Sequence, residues 1–90
     1  MILNYDMIRP DILESLKRYI DQGIPTGGFL SAVLENNLSE AFGRADEHNC
    51  ETLFHICGFI YNEIPRAAWG SEAKVKAWLE QKRKTVEAKS

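Results

Sequence analysis

The sequence predicts an all-α domain: a compact bundle of about four helices, with room for a short extra helical turn around residues 38–42. Three observations carry that expectation. Apolar residues recur at three- and four-residue spacing in successive stretches, the period of a helix packed on one face. Gly23, Pro25, Gly43 and Pro65 punctuate those stretches where helices stop. The 90 residues are 44% apolar and 27% charged, a composition that supports one core and one domain.

Residues 1–9 form an N-terminal arm, read either as a short helical turn or as an extended segment carrying Ile2, Leu3, Met7 and Ile8. The first helix begins near Pro10, whose missing N–H costs nothing at a helix start. Its stripe is Ile12, Leu13, Leu16, Tyr19 and Ile20. Gly23 supplies a left-handed cap, Pro25 forbids continuation, and Ile24 is expected to fold back towards Tyr19. The second helix is expected to start with Thr26 as its N-cap and to turn Phe29, Leu30, Val33 and Leu34 inward. Asn36 and Asn37 predict a break, after which Leu38, Ala41 and Phe42 resume the stripe until Gly43.

Asp46 is expected to cap a third helix that runs to about Glu63. Leu53, Phe54, Cys57, Ile60, Tyr61 and Ile64 define its expected core face, with Ile56 and Phe59 nearly opposite. A helix apolar on two sides predicts either a central position or cover by a second subunit. The last helix follows Ser71 and places Val75, Trp78 and Leu79 inward, with Lys82, Arg83 and Lys84 near its C-terminus and a frayed tail at 85–90. A chain this short has a modest core, so a homo-oligomer is expected.

The net charge of −2 disfavours a protein that coats nucleic acid. No apolar run is long enough to span a membrane, and residues 1–6 lack the pattern of a secretion signal, so the expected compartment is the cytoplasm. Cys50 and Cys57 lie seven residues apart on one helix, about 10 Å in rise, which predicts two reduced, packed thiols. No metal or cofactor motif is present. His48, Glu51, His55 and Asn62 share a narrow arc of the third helix and are expected to form a solvated face, because the histidine spacing is long for one ion. No nucleophile or acid–base set converges, so no enzyme is expected.

Three loops concentrate binding chemistry. Thr26, Gly27 and Gly28 open a helix, where free N–H groups could receive a phosphate; the alternative is a tight connection. Arg44, between the second and third helices, could hold an anion or simply pair with a neighbouring acid. Tyr61, Arg66 and Trp69 place aromatic rings and a guanidinium in one connection, suited to base stacking and phosphate, or to closing the end of the bundle. In an up-down bundle the first and third connections share an end, provided residues 38–42 add no reversal of their own; that would unite the glycine loop with Arg66 and Trp69 and leave Arg44 at the other end of the subunit or bring it to the pocket across a dimer.

The string Arg18-Tyr19, Gly23-Ile24-Pro25-Thr26-Gly27-Gly28-Phe29-Leu30, Ala32 to Leu38 and Ala41-Phe42-Gly43-Arg44-Ala45-Asp46 resembles small accessory proteins of bacteriophages and prophages. The later Ile60-Tyr61-Asn62-Glu63-Ile64-Pro65, Trp69-Gly70-Ser71 and Lys74 to Trp78 are similar too. The resemblance covers roughly residues 16–80 and implies no catalytic residues. It implies a phage protein acting inside an infected bacterium against host defence. Two functions follow as expectations. The first is sequestration of a phosphate-bearing, nucleotide-like signalling molecule by Thr26, Gly27, Gly28, Arg44, Tyr61, Arg66 and Trp69. The second is inhibition or adaptation of a host protein through an exposed patch of Tyr5, Ile56, Phe59 and Trp69. A nucleic-acid role has only the Lys-rich last helix behind it, diluted by Glu72, Glu80 and Glu87.

Overall fold

Helix stops in the sequence divide the chain into five α-helices. In the computed structural model, which describes residues 3–89 and their side chains through residue 85, these are α1 (Pro10–Gln22), α2 (Gly28–Leu34), α3 (Leu38–Arg44), α4 (Glu47–Glu63) and α5 (Glu72–Lys89). Two 3-10 turns, Tyr5–Met7 and Arg66–Ala68, complete the described residues, and no strand occurs among them. Met1, Ile2 and Ser90 lie outside the described residues, whereas the stretch expected to fray continues helical to Lys89.

The helix ends follow from local chemistry. Gly23 adopts φ +68° and its N–H donates to the Tyr19 carbonyl at 3.1 Å, closing α1. The Ile24 N–H turns back to the Arg18 carbonyl at 3.5 Å, while its side chain stands 42% exposed. The helix α2 starts one residue later than Thr26 as N-cap predicts. Gly27, at φ +90°, occupies the N-cap position, and the Thr26 hydroxyl lies 3.3 Å from that of Ser31. Asn36, at φ +63°, ends α2: its N–H donates to Val33 O at 3.0 Å, and that of Asn37 to Ala32 O at 2.8 Å. Asn tolerates this left-handed geometry better than other side-chain-bearing residues. Asn37 then caps α3, which is a full short helix that runs past Gly43 to Arg44. Asp46 caps α4 by accepting from the Asn49 N–H at 2.8 Å, and Ser71 caps α5 by accepting from the Lys74 N–H at 3.2 Å.

Leu16, Tyr19, Leu34, Ile56 and Ile60 are the largest fully buried side chains. They place the core between α1, α2 and α4, with Val75 of α5 closing it. The helix α4 is rotated from its expected face. Asn49, Thr52, Ile56 and Ile60 point inward, while Phe54 and Tyr61 are 45% and 63% exposed. The N-terminal arm explains the rotation. Tyr5 packs edge-on against Phe59 at 5.1 Å, the Leu3 side chain lies against Gly58, and the Asn4 N–H donates to His55 Nδ1 at 3.1 Å. The arm thus covers the second apolar side of α4 and uses His55 and Asn62 of the polar stripe, the latter donating to the Tyr5 hydroxyl at 3.4 Å.

The helices α2 and α3 form a short hairpin, while α1 and α5 lie side by side in the same sense, with Tyr19 beside Trp78 and Gly23 against Lys82. The Tyr19 carbonyl accepts from the Trp78 indole at 3.0 Å. No described helix is long and apolar enough to cross a membrane.

Candidate functional site

The seven residues expected to bind a ligand fall into two groups at opposite ends of α2. Thr26, Gly27, Gly28 and Arg44 lie at its start. A Cβ added to Gly28 would sit 2.8 Å from Arg44 Nη1, so the α2–α3 hairpin brings the arginine onto the glycine loop within one subunit. That overturns the expected separation of Arg44 from the loop. Arg44 is also engaged, its Nε donating to Glu40 at 2.5 Å one helical turn back. Gly27 acquires a structural reason in its positive φ, whereas Gly28 faces only the flexible end of Arg44.

Tyr61, Arg66 and Trp69 lie at the other end. The Gly70 N–H donates to the Leu34 carbonyl at 2.7 Å, which fastens their connection to the last residue of α2. Seven residues of helix, about 10 Å of rise, separate the two groups. A single pocket joining the glycine loop to Arg66 and Trp69 is therefore not formed, because α3 adds the chain reversal that a simple four-helix up-down path lacks.

The second group is the more coherent. Pro65 ends α4, and the 3-10 turn Arg66–Ala68 reverses the chain. The Ala68 carbonyl, fully buried, accepts from the Tyr19 hydroxyl at 2.6 Å, which ties the turn to α1. The Trp69 indole donates to Ile64 O at 3.2 Å, so its ring both lids this end of the core and lies 5.9 Å from Tyr61. The Arg66 guanidinium sits over both rings, 5.1 Å from Trp69 and 5.5 Å from Tyr61. It pairs with no carboxylate among the described residues. Beside the rings lies a cleft of 170 Å³, walled by Leu38 of α3 and Cys57 of α4. Burial pushes the Cys57 thiol pKa up, so it faces the cleft as an apolar, protonated group.

A larger open groove of 580 Å³, which the sequence did not suggest, runs between Pro25 and the α5 residues Lys76, Leu79 and Arg83. It forms because α1 and α5 run alongside each other, a pairing that no local pattern reports. Its two cations are already paired, Lys76 with Glu72 at 3.2 Å and Arg83 with Glu80 at 2.7 Å. No group of three or more His, Cys, Asp or Glu residues with metal-site geometry occurs among the described residues.

The expected protein-binding patch is also redrawn. Ile56 is fully buried, and Tyr5 and Phe59 are half-buried against each other. The exposed large apolar side chains on the other side of α4 are instead Phe54 and Tyr61, flanked by Leu38 and Phe42 of α3, 51% and 64% exposed. The seven-residue spacing of Phe54 and Tyr61 was the available signal, once Thr52, Ile56 and Ile60 were taken as the core stripe. Comparison with protein-family models, curated proteins and solved structures finds no match.

Proposed function

We propose that this chain is a non-enzymatic binding protein that sequesters a phosphate-bearing, nucleotide-like signalling molecule on the Tyr61–Arg66–Trp69 cluster. One observation carries the reading: a guanidinium lying on two aromatic rings with no acidic partner among the described residues. Such a group offers a planar fork to phosphate oxygens, and the exposed Tyr61 ring beside it offers a stacking face to a base. The paired cations of Lys76, Arg83 and Arg44 offer less, because a phosphate there must displace a carboxylate. Thr26, Gly27, Gly28 and Arg44 are left out of this site. The resemblance to phage accessory proteins supports a counter-defence role in the cytoplasm of an infected bacterium. Native mass spectrometry of the protein recovered from infected cells tests the proposal. A retained small molecule carrying phosphate supports it, and an empty protein that also gains no adduct from added cyclic dinucleotides or ADP-ribose-like compounds contradicts it.

A second reading, inhibition or adaptation of a host protein, draws on the exposed Leu38, Phe42 and Phe54. Recovery of one stoichiometric host protein on the tagged chain, lost on Phe42→Asp, would favour it.

A further inference from the structure

The 170 Å³ cleft beside the aromatic cluster is walled mostly by apolar groups: Val33, Leu38, Cys57 and Ile60, joined by the Tyr61 and Trp69 rings. The Trp69 indole N–H is already engaged by the Ile64 carbonyl at 3.2 Å. The remaining lining residue is Asn36. Its side chain is exposed and makes no hydrogen bond among the described residues. The neighbouring Asn37 differs, because its side chain accepts from the Glu40 N–H at 3.3 Å to cap α3. Asn36 thus brings a planar amide, with donor and acceptor side by side, to an apolar and aromatic cleft.

The backbone fixes this amide relative to the rings. The Asn36 N–H donates to Val33 O at 3.0 Å, with φ +63°. The Gly70 N–H, next to Trp69, donates to Leu34 O at 2.7 Å. The stretch that carries Asn36 and the stretch that carries Trp69 are therefore held together.

We infer that the cleft takes a single nucleobase and that Asn36 pairs with the edge of that base. This rests on the nucleotide reading above and adds to it the residue that reads the base. The volume suits one flat ring system rather than a whole nucleotide, since ordinary ligand pockets occupy ~300–1,000 Å³. The apolar and aromatic wall receives the faces of the base, and the amide receives its polar edge. Arg66 does not line the cleft; it lies over the same two rings, 5.1 Å and 5.5 Å from their centroids. The base then lies in the cleft and the phosphate outside it on the guanidinium, with the sugar between. Adenine presents an N–H donor beside a ring-nitrogen acceptor, and guanine a carbonyl acceptor beside an N–H donor. The amide, turned over, meets either. A sugar phosphate without a base meets neither.

Isothermal titration calorimetry of the full chain tests the assignment. The ligands are the adenine and guanine cyclic dinucleotides, ADP-ribose and its guanine counterpart, and ribose 5-phosphate. The wild type is expected to bind at least one nucleotide, and ribose 5-phosphate roughly tenfold or more weakly. Asn36→Gly suits φ +63°, so it keeps the backbone while removing the amide; it is expected to weaken that nucleotide roughly tenfold or more. Asn36→Asp tolerates the same φ but only accepts hydrogen bonds. Guanine offers it adjacent N–H donors, whereas adenine turns a ring-nitrogen lone pair towards it. The guanine-to-adenine affinity ratio is therefore expected to rise roughly tenfold over the wild type's. The ratio is read because the added negative charge weakens every phosphate ligand. An Asn36→Gly affinity equal to the wild type's overturns the inference, as does an Asn36→Asp ratio equal to the wild type's. If Arg66→Ala loses the ligand in the same titrations, the binding of phosphate by Arg66 survives either result. A wild type that binds none of the nucleotides overturns both.

Discussion

The Tyr19 hydroxyl donates to the Ala68 carbonyl across 2.6 Å, joining α1 to the turn that carries Arg66 and Trp69. Both residues are buried, so this bond is the internal support of an exposed cluster. Tyr19→Phe keeps the ring and leaves the Ala68 carbonyl desolvated without its donor, a loss of about 1–3 kcal/mol. Urea unfolding of the two proteins measures it.

The same bond has a pH signature. Burial, with the charge of Glu35 second, pushes the Tyr19 phenol up to about 12. In the unfolded chain a tyrosine ionises near about 10. The folded value is the higher one, so this contribution is complete below pH about 10 and is lost as pH rises through about 12. Wild type is expected to lose its advantage over Tyr19→Phe across that window, as read by urea midpoints at each pH.

Gly23 and Gly28 are expected to respond in opposite ways to alanine. Gly23 sits at φ +68° and an added Cβ would collide with Lys82 Cβ, close to the α5 backbone. Gly23→Ala is expected to cost about 2 kcal/mol or more. At Gly28 the obstacle is the far end of Arg44, which can swing away, and alanine is the better helix former by about 1 kcal/mol. Gly28→Ala is expected to be neutral or stabilising. Thermal melts of the two variants check the contrast.

The N-terminal arm is expected to be a packed part of the fold. Tyr5 stacks edge-on against Phe59, and its hydroxyl donates to Glu63 at 3.2 Å. Tyr5→Ala removes both contacts and half uncovers Phe59, a loss of about 1–3 kcal/mol. Faster amide exchange at Ile8 and at the Asn4 N–H that His55 accepts would accompany it.

The legible parts of this fold were those set by local chemistry. Pro10, Gly23, Asp46, Pro65 and Ser71 each act within one turn of the chain, and the helix boundaries they predict are present. The face of α4 was not legible, because Phe54 and Tyr61 lie on one side of the helix and Ile56 and Phe59 nearly opposite, so that two apolar sides compete for the core. Only the docking of the arm on Phe59 and Gly58, more than fifty residues away in sequence, decides which of them is core. The candidate site divides in the same way. Tyr61, Arg66 and Trp69 are close in sequence and meet in space. Whether they reach Gly27 and Gly28 depended on the reversal at Asn36, whose left-handed conformation turns α3 back on α2 and sends Arg44 to the glycine loop in their place.

The proposed site is tested most directly by melting the wild type and Arg66→Ala with and without a panel of cyclic dinucleotides and ADP-ribose-like compounds. Arg66 is exposed and makes no ion pair among the described residues, so the free proteins are expected to melt within a few degrees of each other. A ligand at a hundred times its Kd stabilises by about 2.7 kcal/mol, a rise of roughly 10–20 °C for a domain of this size. The account predicts that rise for at least one compound with the wild type and little or none with Arg66→Ala. No rise with any compound, or an equal rise in both proteins, would contradict it.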